Sequence, residues 1–80
     1  MHEVNFRESF LVDFERCSPQ TQNEAYNHIL DLQHTPQPHA SYPVAPQAET
    51  FRYVYIFNNR MMYFIDQPQQ LIEMLTLRPQ

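Results

Sequence analysis

All positive charge in this chain of 80 residues is carried by arginine, at Arg7, Arg16, Arg52, Arg60 and Arg78. Arginine presents a planar fork that grips phosphates and carboxylates with two parallel hydrogen bonds, which lysine cannot do. Arg52 and Arg60 fall within FRYVYIFNNRMMYFID, Phe51 to Asp66, one in each of two aromatic and branched runs. They are either cross-strand partners for Glu49, Asp66 or Glu73, or cations held out toward a substrate. Acid–base chemistry beside them needs a histidine, tyrosine or carboxylate within hydrogen-bond reach; Tyr53, Tyr55, Tyr63, Glu49 and Glu73 are the eligible groups. Strand alternation puts Phe51, Tyr53, Tyr55 and Phe57 on the face opposite Arg52, Val54 and Ile56, and marks the aromatics as core candidates.

Other chemistry finds little support. His2, His28, His34 and His39 show no zinc-like spacing, and His28 and His34 do not share a helical face. Cys17 has only Arg16 as a basic neighbour, so it reads as an inert thiol. No metal and no cofactor is expected. The formal charge of −4, nine acids against five arginines, opposes a polyanion at long range. Binding to free nucleic acid should therefore be weak, and a cationic partner suits the acidic surface better.

The elements that must position these groups are legible in outline. The length indicates one domain, residues 1–80. His2 to Phe6 reads as a short strand. Ser9 to Cys17 has Phe10, Leu11 and Phe14 at helical spacing, with Asp13, Glu15 and Arg16 on the wet side. Ser18-Pro19 ends that helix and starts another, with Ser18 as N-cap and Pro19 at the first helical position. Ala25, Ile29 and Leu32 form its buried stripe, and it should stop near His34. Residues 35–48, TPQPHASYPVAPQA, carry four prolines and read as a connecting loop tethered by Tyr42 and Val44. Glu49 to Phe57 and Asn59 to Asp66 form a hairpin. In a chain without glycine, Asn58-Asn59 is expected to take the positive φ at its turn. Gln67-Pro68-Gln69 turns again, and Leu71 to Leu77 is a third strand of a meander. The order is β-α-α-β-β-β: an α+β domain with two N-terminal helices packed on a small, mainly antiparallel sheet. No run is long enough to cross a bilayer and no charged-then-apolar leader opens the chain. A single cysteine favours a reducing compartment, so a soluble, cytoplasmic protein is expected.

These residues resemble the RelE/ParE superfamily, the toxins of bacterial type II toxin–antitoxin pairs, over nearly the whole chain. FRESFLVDFERCSP is similar to the family's first helix with its aromatic and D-[FL] pair, and QNEAYNHILDLQHTP to its second. FRYVYIFNNRMMYFID is similar to an Arg-bearing strand, a tight turn and an R-V-h-Y-x-h-D strand. IEMLTLRPQ supplies Arg78 where the last strand commonly ends in a basic residue. The chain departs from the family in its acidity, in having Asn58-Asn59 where glycine is common, and in ending Arg78-Pro79-Gln80 where ribosome-dependent nucleases often carry His or Tyr.

The resemblance implies a growth-inhibiting toxin neutralised by a cognate antitoxin. In one branch Arg52, Arg60 and Arg78 would contact the phosphate during ribosome-dependent mRNA cleavage, as an electrostatic clamp on developing charge. The other branch poisons DNA gyrase by binding and needs no catalytic acid or base. Whether the chain is an enzyme stays open between them. An antitoxin would need apolar area, and Val54, Ile56, Met62, Phe64 and Met74 are more than one layer of helices should cover. The alternative is a non-catalytic protein-interaction module that keeps the fold and has lost the basic site.

Overall fold

The Ser18-Pro19 pair divides the N-terminal part of the chain as its chemistry requires. In the computed structural model, which describes residues 1–80, helix α1 spans Glu8–Arg16 and α2 spans Pro19–His34. Pro19 gives up no hydrogen bond at the first helical position, and Ser18 Oγ accepts the Thr21 amide at 3.2 Å. Thr21, Ala25, Ile29 and Leu32 recur on the buried side of α2. Helix α1 buries Phe10 and also Asp13, which its charge had assigned to solvent; Leu11, assigned to the core, is exposed. Asp13 lies three residues after Phe10 and so shares its face.

Five strands form one sheet: β1 (Glu3–Phe6), β2 (Ser41–Pro43), β3 (Phe51–Ile56), β4 (Asn59–Asp66) and β5 (Leu71–Pro79). Their spatial order is β1-β5-β4-β3-β2, with β1 parallel to β5 and every other pair antiparallel. The α+β class, the two N-terminal helices and the strand after Gln67-Pro68-Gln69 match the sequence reading. The proline-rich stretch does not remain a plain connector. It contributes β2, an edge strand, so that the order is β-α-α-β-β-β-β. Pro43 sits at the end of that strand, where a missing amide costs the ladder least.

The hairpin turn also differs from expectation. Tyr55 pairs with Arg60 and Ile56 with Asn59, which leaves Phe57 and Asn58 as the two loop residues. Phe57, rather than an asparagine, takes the positive φ, at 54°. Positive φ at the first loop position alone is the sign pattern of a type II′ turn, whose twist suits flanking strands.

Twelve buried apolar residues make the core, drawn from the helices and one side of the sheet. Val54, Ile56, Met61, Tyr63, Ile65, Ile72 and Met74 are all at most 1% exposed. A bulge on β5 resets the alternation near the end of the chain. Met62 pairs with Thr76 but Tyr63 pairs with Met74, so Leu75 is an extra residue. Unbroken alternation from Ile72 and Met74 would have turned Arg78 into the core. After the bulge Leu77 points inward instead, and Arg78 is exposed.

Candidate functional site

Cross-strand partners share a sheet face, and the register sorts the uncovered face into rows. Tyr55, Arg60 and Arg78 make one row, and Tyr42, Tyr53, Met62 and Thr76 the next. Phe51, Phe64 and Glu73 come after them, then Asp66 with Leu71. The sheet is thus cationic at one end and acidic at the other. Arg60 is exposed and forms no ion pair, and its guanidinium lies 5.3 Å from the Tyr53 ring centroid. Arg78 is directly opposite Arg60, and its Nε donates to Asp13 Oδ2 at 3.1 Å. Like charges directly opposed across two strands destabilise a sheet. A chain with only five cations nevertheless places two of them so.

Two hollows flank this pair. A cleft of about 400 Å³ on the open face has Phe51, Met62 and Leu75 in its lining, with Arg60 and Arg78 beside them. A larger cleft of about 720 Å³ lies where α1 and α2 meet the end of the sheet; Asp13, Arg16, Ser18 and Arg78 line it. Arg78 borders both, and Arg16 adds a third cation at this end.

Arg52 does not belong to the site. It is 8% exposed on the helix-covered side, where its Nε donates to Ser41 Oγ at 2.9 Å and its Nη2 to the Ser41 carbonyl at 3.2 Å. Its Nη1 reaches the Glu49 carbonyl at 3.2 Å and the Glu49 carboxylate at 3.4 Å. The cross-strand partners of Arg52 and Arg60 show why the two cannot act together: Arg52 pairs with Tyr63, a core residue, whereas Arg60 pairs with Tyr55. Of the three arginines that the family resemblance pointed to, the structure brings Arg60 and Arg78 together and removes Arg52.

The apolar partner surface needs the same correction. Val54, Ile56 and Met74 are wholly buried under the helices, while Met62 and Phe64 are half-buried on the open face. Val54 pairs with Met61, and Tyr53 with Met62, so Val54 and Met62 could never have shared a side.

Proton chemistry around Arg60 is one-directional. Hydrogen bonding to Tyr53, and after it burial, holds the Tyr55 hydroxyl above its ordinary value, while Arg60 pulls the other way. Tyr55 therefore stays protonated at neutral pH and can donate but not abstract a proton. Cys17 is pushed up by burial and then by the Asp13 charge, and its Sγ donates to the Asp13 carbonyl at 3.4 Å. Its thiol is thus held in the protonated form more firmly than that of an ordinary cysteine. No group of three or more histidine, cysteine or carboxylate side chains is placed to hold a metal.

Three residues of this end were missed in the sequence: Asp13, Arg16 and Tyr42. Asp13 had a usable signal, since Phe10, Asp13, Phe14 and Cys17 have the spacing of one helical face. Tyr42 had none, because a proline-rich segment gives no period from which to read a side.

This arrangement of two helices and a five-stranded sheet recurs in solved structures. The chain superposes on the RelBE2 toxin–antitoxin complex of Mycobacterium tuberculosis with a TM-score of 0.82 and 16% identity, over 99% of this chain and 98% of that one. The YoeB/ParE toxin of Agrobacterium tumefaciens gives 0.83 at 17% identity, over 98% of both chains. The Escherichia coli RelBE toxin–antitoxin complex gives 0.84 at 8% identity, over 100% of this chain and 98% of that one. The fold is that of the RelE/ParE toxins. No protein-family model and no curated protein matches the chain. Identity this low speaks for the RelE/ParE fold and leaves target and activity to the residues of the site. No helix is long and apolar enough to cross a membrane.

Proposed function

We propose that this protein is the toxin component of a toxin–antitoxin pair, which restrains growth by gripping an anionic group of its target and is released from an antitoxin chain to do so. One observation carries the reading: Arg60 stands exposed and without a carboxylate partner on the uncovered face of a RelE/ParE-type sheet, directly opposite Arg78, whose own partner is Asp13 on α1. An antitoxin partner is supported by the relatives of this fold that were solved as toxin–antitoxin complexes. The half-buried Met62 and Phe64, with Phe51 and Leu75 beside them, offer it apolar area next to the arginines.

The residues favour grip over bond cleavage. With Arg52 sequestered the clamp is reduced to Arg60 and an Arg78 shared with Asp13. Tyr55, the ionisable neighbour of Arg60 in its row, is held in its protonated form. The experiment is inducible expression in a bacterial host of the wild type and of Arg60→Ala, with growth, cleaved mRNA ends and gyrase–DNA complexes as readouts. Growth arrest lost in Arg60→Ala, without new mRNA ends, is the expected result. Arrest accompanied by codon-phased cleavage would replace grip with catalysis. An unaffected host would favour the second reading, a protein-interaction module, which the net charge of −4 and the pairing of Arg78 with Asp13 support.

A further inference from the structure

Strand β4 carries an unpaired charge at each end of its open face. Arg60 and Asp66 both point away from the helices, with the half-buried Met62 and Phe64 between them. Neither makes an ion pair within the chain; Asp66 Oδ1 accepts only the Gln69 amide, at 3.3 Å. The neighbouring strands repeat the polarity. Arg78 on β5 stands opposite Arg60, and Glu3 on β1 shares the row of Leu71 and Asp66. Two hollows of nearly equal size separate the ends, about 400 Å³ beside the arginines and about 410 Å³ beside Glu73. Phe51 and Leu75 line both.

Such a face is complementary to itself. A two-fold axis lying in the face and crossing β4 at Tyr63, at right angles to the strand, turns the strand end for end. Arg60 then meets Asp66 of the second copy, Met62 meets Phe64, and every contact occurs twice, as in any isologous interface. The hollow beside the arginines comes to lie over the hollow beside Glu73. An axis parallel to the strand would instead set Arg60 on Arg60, so the charges select one arrangement.

We propose that two copies of this chain associate through the open face of the sheet, antiparallel at β4, with Arg60 of each copy paired to Asp66 of the other. Face-to-face sheets pack about 10 Å apart with strands within about 30° of each other, a gap that an arginine and a facing carboxylate can bridge. The overall charge of −4 opposes the approach of two copies at long range, and the alignment of opposite charges offsets it at contact.

The area sets the strength. Arg60 to Asp66 spans about 20 Å, and five strands are about 24 Å wide, which gives roughly 500 Å² of flat face per copy. Both copies together bury about 1,000 Å², the low end of specific interfaces, so a dissociation constant of about 10–100 μM is expected. Self-association does not rest on the toxin reading. It adds regulation to that reading, because the dimer covers Arg60 and only the monomer shows it to a target or an antitoxin.

The test is sedimentation equilibrium of the full chain over about 1–500 μM. Wild type should pass from monomer to dimer. Arg60→Asp and Asp66→Arg should each weaken the dimer about tenfold or more, since both replace two ion pairs by two like-charge contacts. An equimolar mixture of the two variants restores both pairs and should dimerise within about threefold of wild type. Both variants remain net acidic, so general attraction cannot bring them together. Met62→Lys, in the middle of the face, should also abolish the dimer. Urea midpoints of the dilute variants report folding. Arg60→Asp and Met62→Lys leave the turn at Asp66 intact and decide the case even where Asp66→Arg unfolds. A wild type that stays monomeric, a dimer indifferent to Arg60→Asp and Met62→Lys, or a mixture of folded variants that stays monomeric would each overturn the interface. Arg60-dependent growth arrest by a strictly monomeric protein would overturn the dimer alone and leave the toxin reading standing. A dimer with these variant effects in a protein harmless to its host would support the interface and remove the toxin reading.

Discussion

Asp13 Oδ2 accepts the Leu77 amide at 3.0 Å, so a carboxylate on α1 finishes a strand edge that β1 leaves open. Strand β1 covers β5 only from Leu71 to Met74. Beyond it the chain improvises: the Arg7 amide donates to the Met74 carbonyl at 3.0 Å and Ser9 Oγ to the Leu75 carbonyl at 2.6 Å. Asp13 completes the series and holds Arg78 as well. Asp13→Ala should therefore lower stability by about 2–3 kcal/mol, because a buried amide loses a charged acceptor. Asp13→Asn, which retains an acceptor, should lose less. Urea titrations of the three proteins measure both; equal stability of wild type and Asp13→Ala would show that water replaces the carboxylate.

Arg52 and Arg60 predict opposite phenotypes from the same substitution. Arg52→Ala strips four hydrogen bonds from the Ser41 and Glu49 region and should cost about 2–3 kcal/mol. Arg60→Ala removes an exposed cation opposed to another, so stability should hold within about 0.5 kcal/mol or rise slightly. Function should move the other way, with growth arrest lost in Arg60→Ala at full stability. A large stability loss in Arg60→Ala would place that residue in the fold rather than in the site.

Phe57 sits in the left-handed region at φ 54° with its ring 53% exposed. A bulky side chain there costs roughly 1–2 kcal/mol, and the exposed ring returns little of it through burial. Phe57→Gly should stabilise the protein by about 0.5–1 kcal/mol after the entropy of glycine is counted. The gain is read from the midpoint of urea unfolding. Destabilisation would indicate that the Phe57 ring has packing worth more than the strain.

These features mark what the sequence could and could not display. The break at Ser18-Pro19, the stripe Ala25, Ile29 and Leu32, and the hairpin with its third strand are encoded locally, by capping, periodicity and turn residues. The α+β layout is built from them. Sidedness was harder. Alternation correctly separated Tyr53 and Tyr55 from Arg52, but nothing within one strand says which face the helices cover, and the aromatics went to the wrong one. The bulge at Leu75 has no local signature, yet it alone keeps Arg78 out of the core. Tyr42 and β2 depend on Arg52 reaching across from β3, a contact between residues that share no period. Asp13 was hidden by its charge, since a carboxylate on a helix is usually solvated.

Tyr63 links the core to alkaline pH. Its ring is fully buried and its hydroxyl donates to the Pro36 carbonyl at 2.7 Å, which ties the start of the proline-rich stretch to β4. Burial pushes the phenol above its ordinary 10.0, against smaller opposite pulls from Ser41 and Arg52. In the unfolded chain the phenol ionises near its ordinary value, whereas in the folded protein it keeps its proton to higher pH. The stability this difference supplies is therefore complete below about 10 and is lost as pH rises through the folded value. Tyr63→Phe removes both the hydrogen bond and the ionisation. At neutral pH it should be less stable by about 1 kcal/mol, the net worth of one buried hydrogen bond. Above pH of about 10 the wild type should lose stability faster than the variant, so that the gap between them narrows. Tyr55, also raised, is present in both proteins and cancels from the comparison. Urea midpoints taken from neutral to strongly alkaline pH decide it: two parallel curves would mean that Tyr63 ionises as readily in the folded protein as in the unfolded chain.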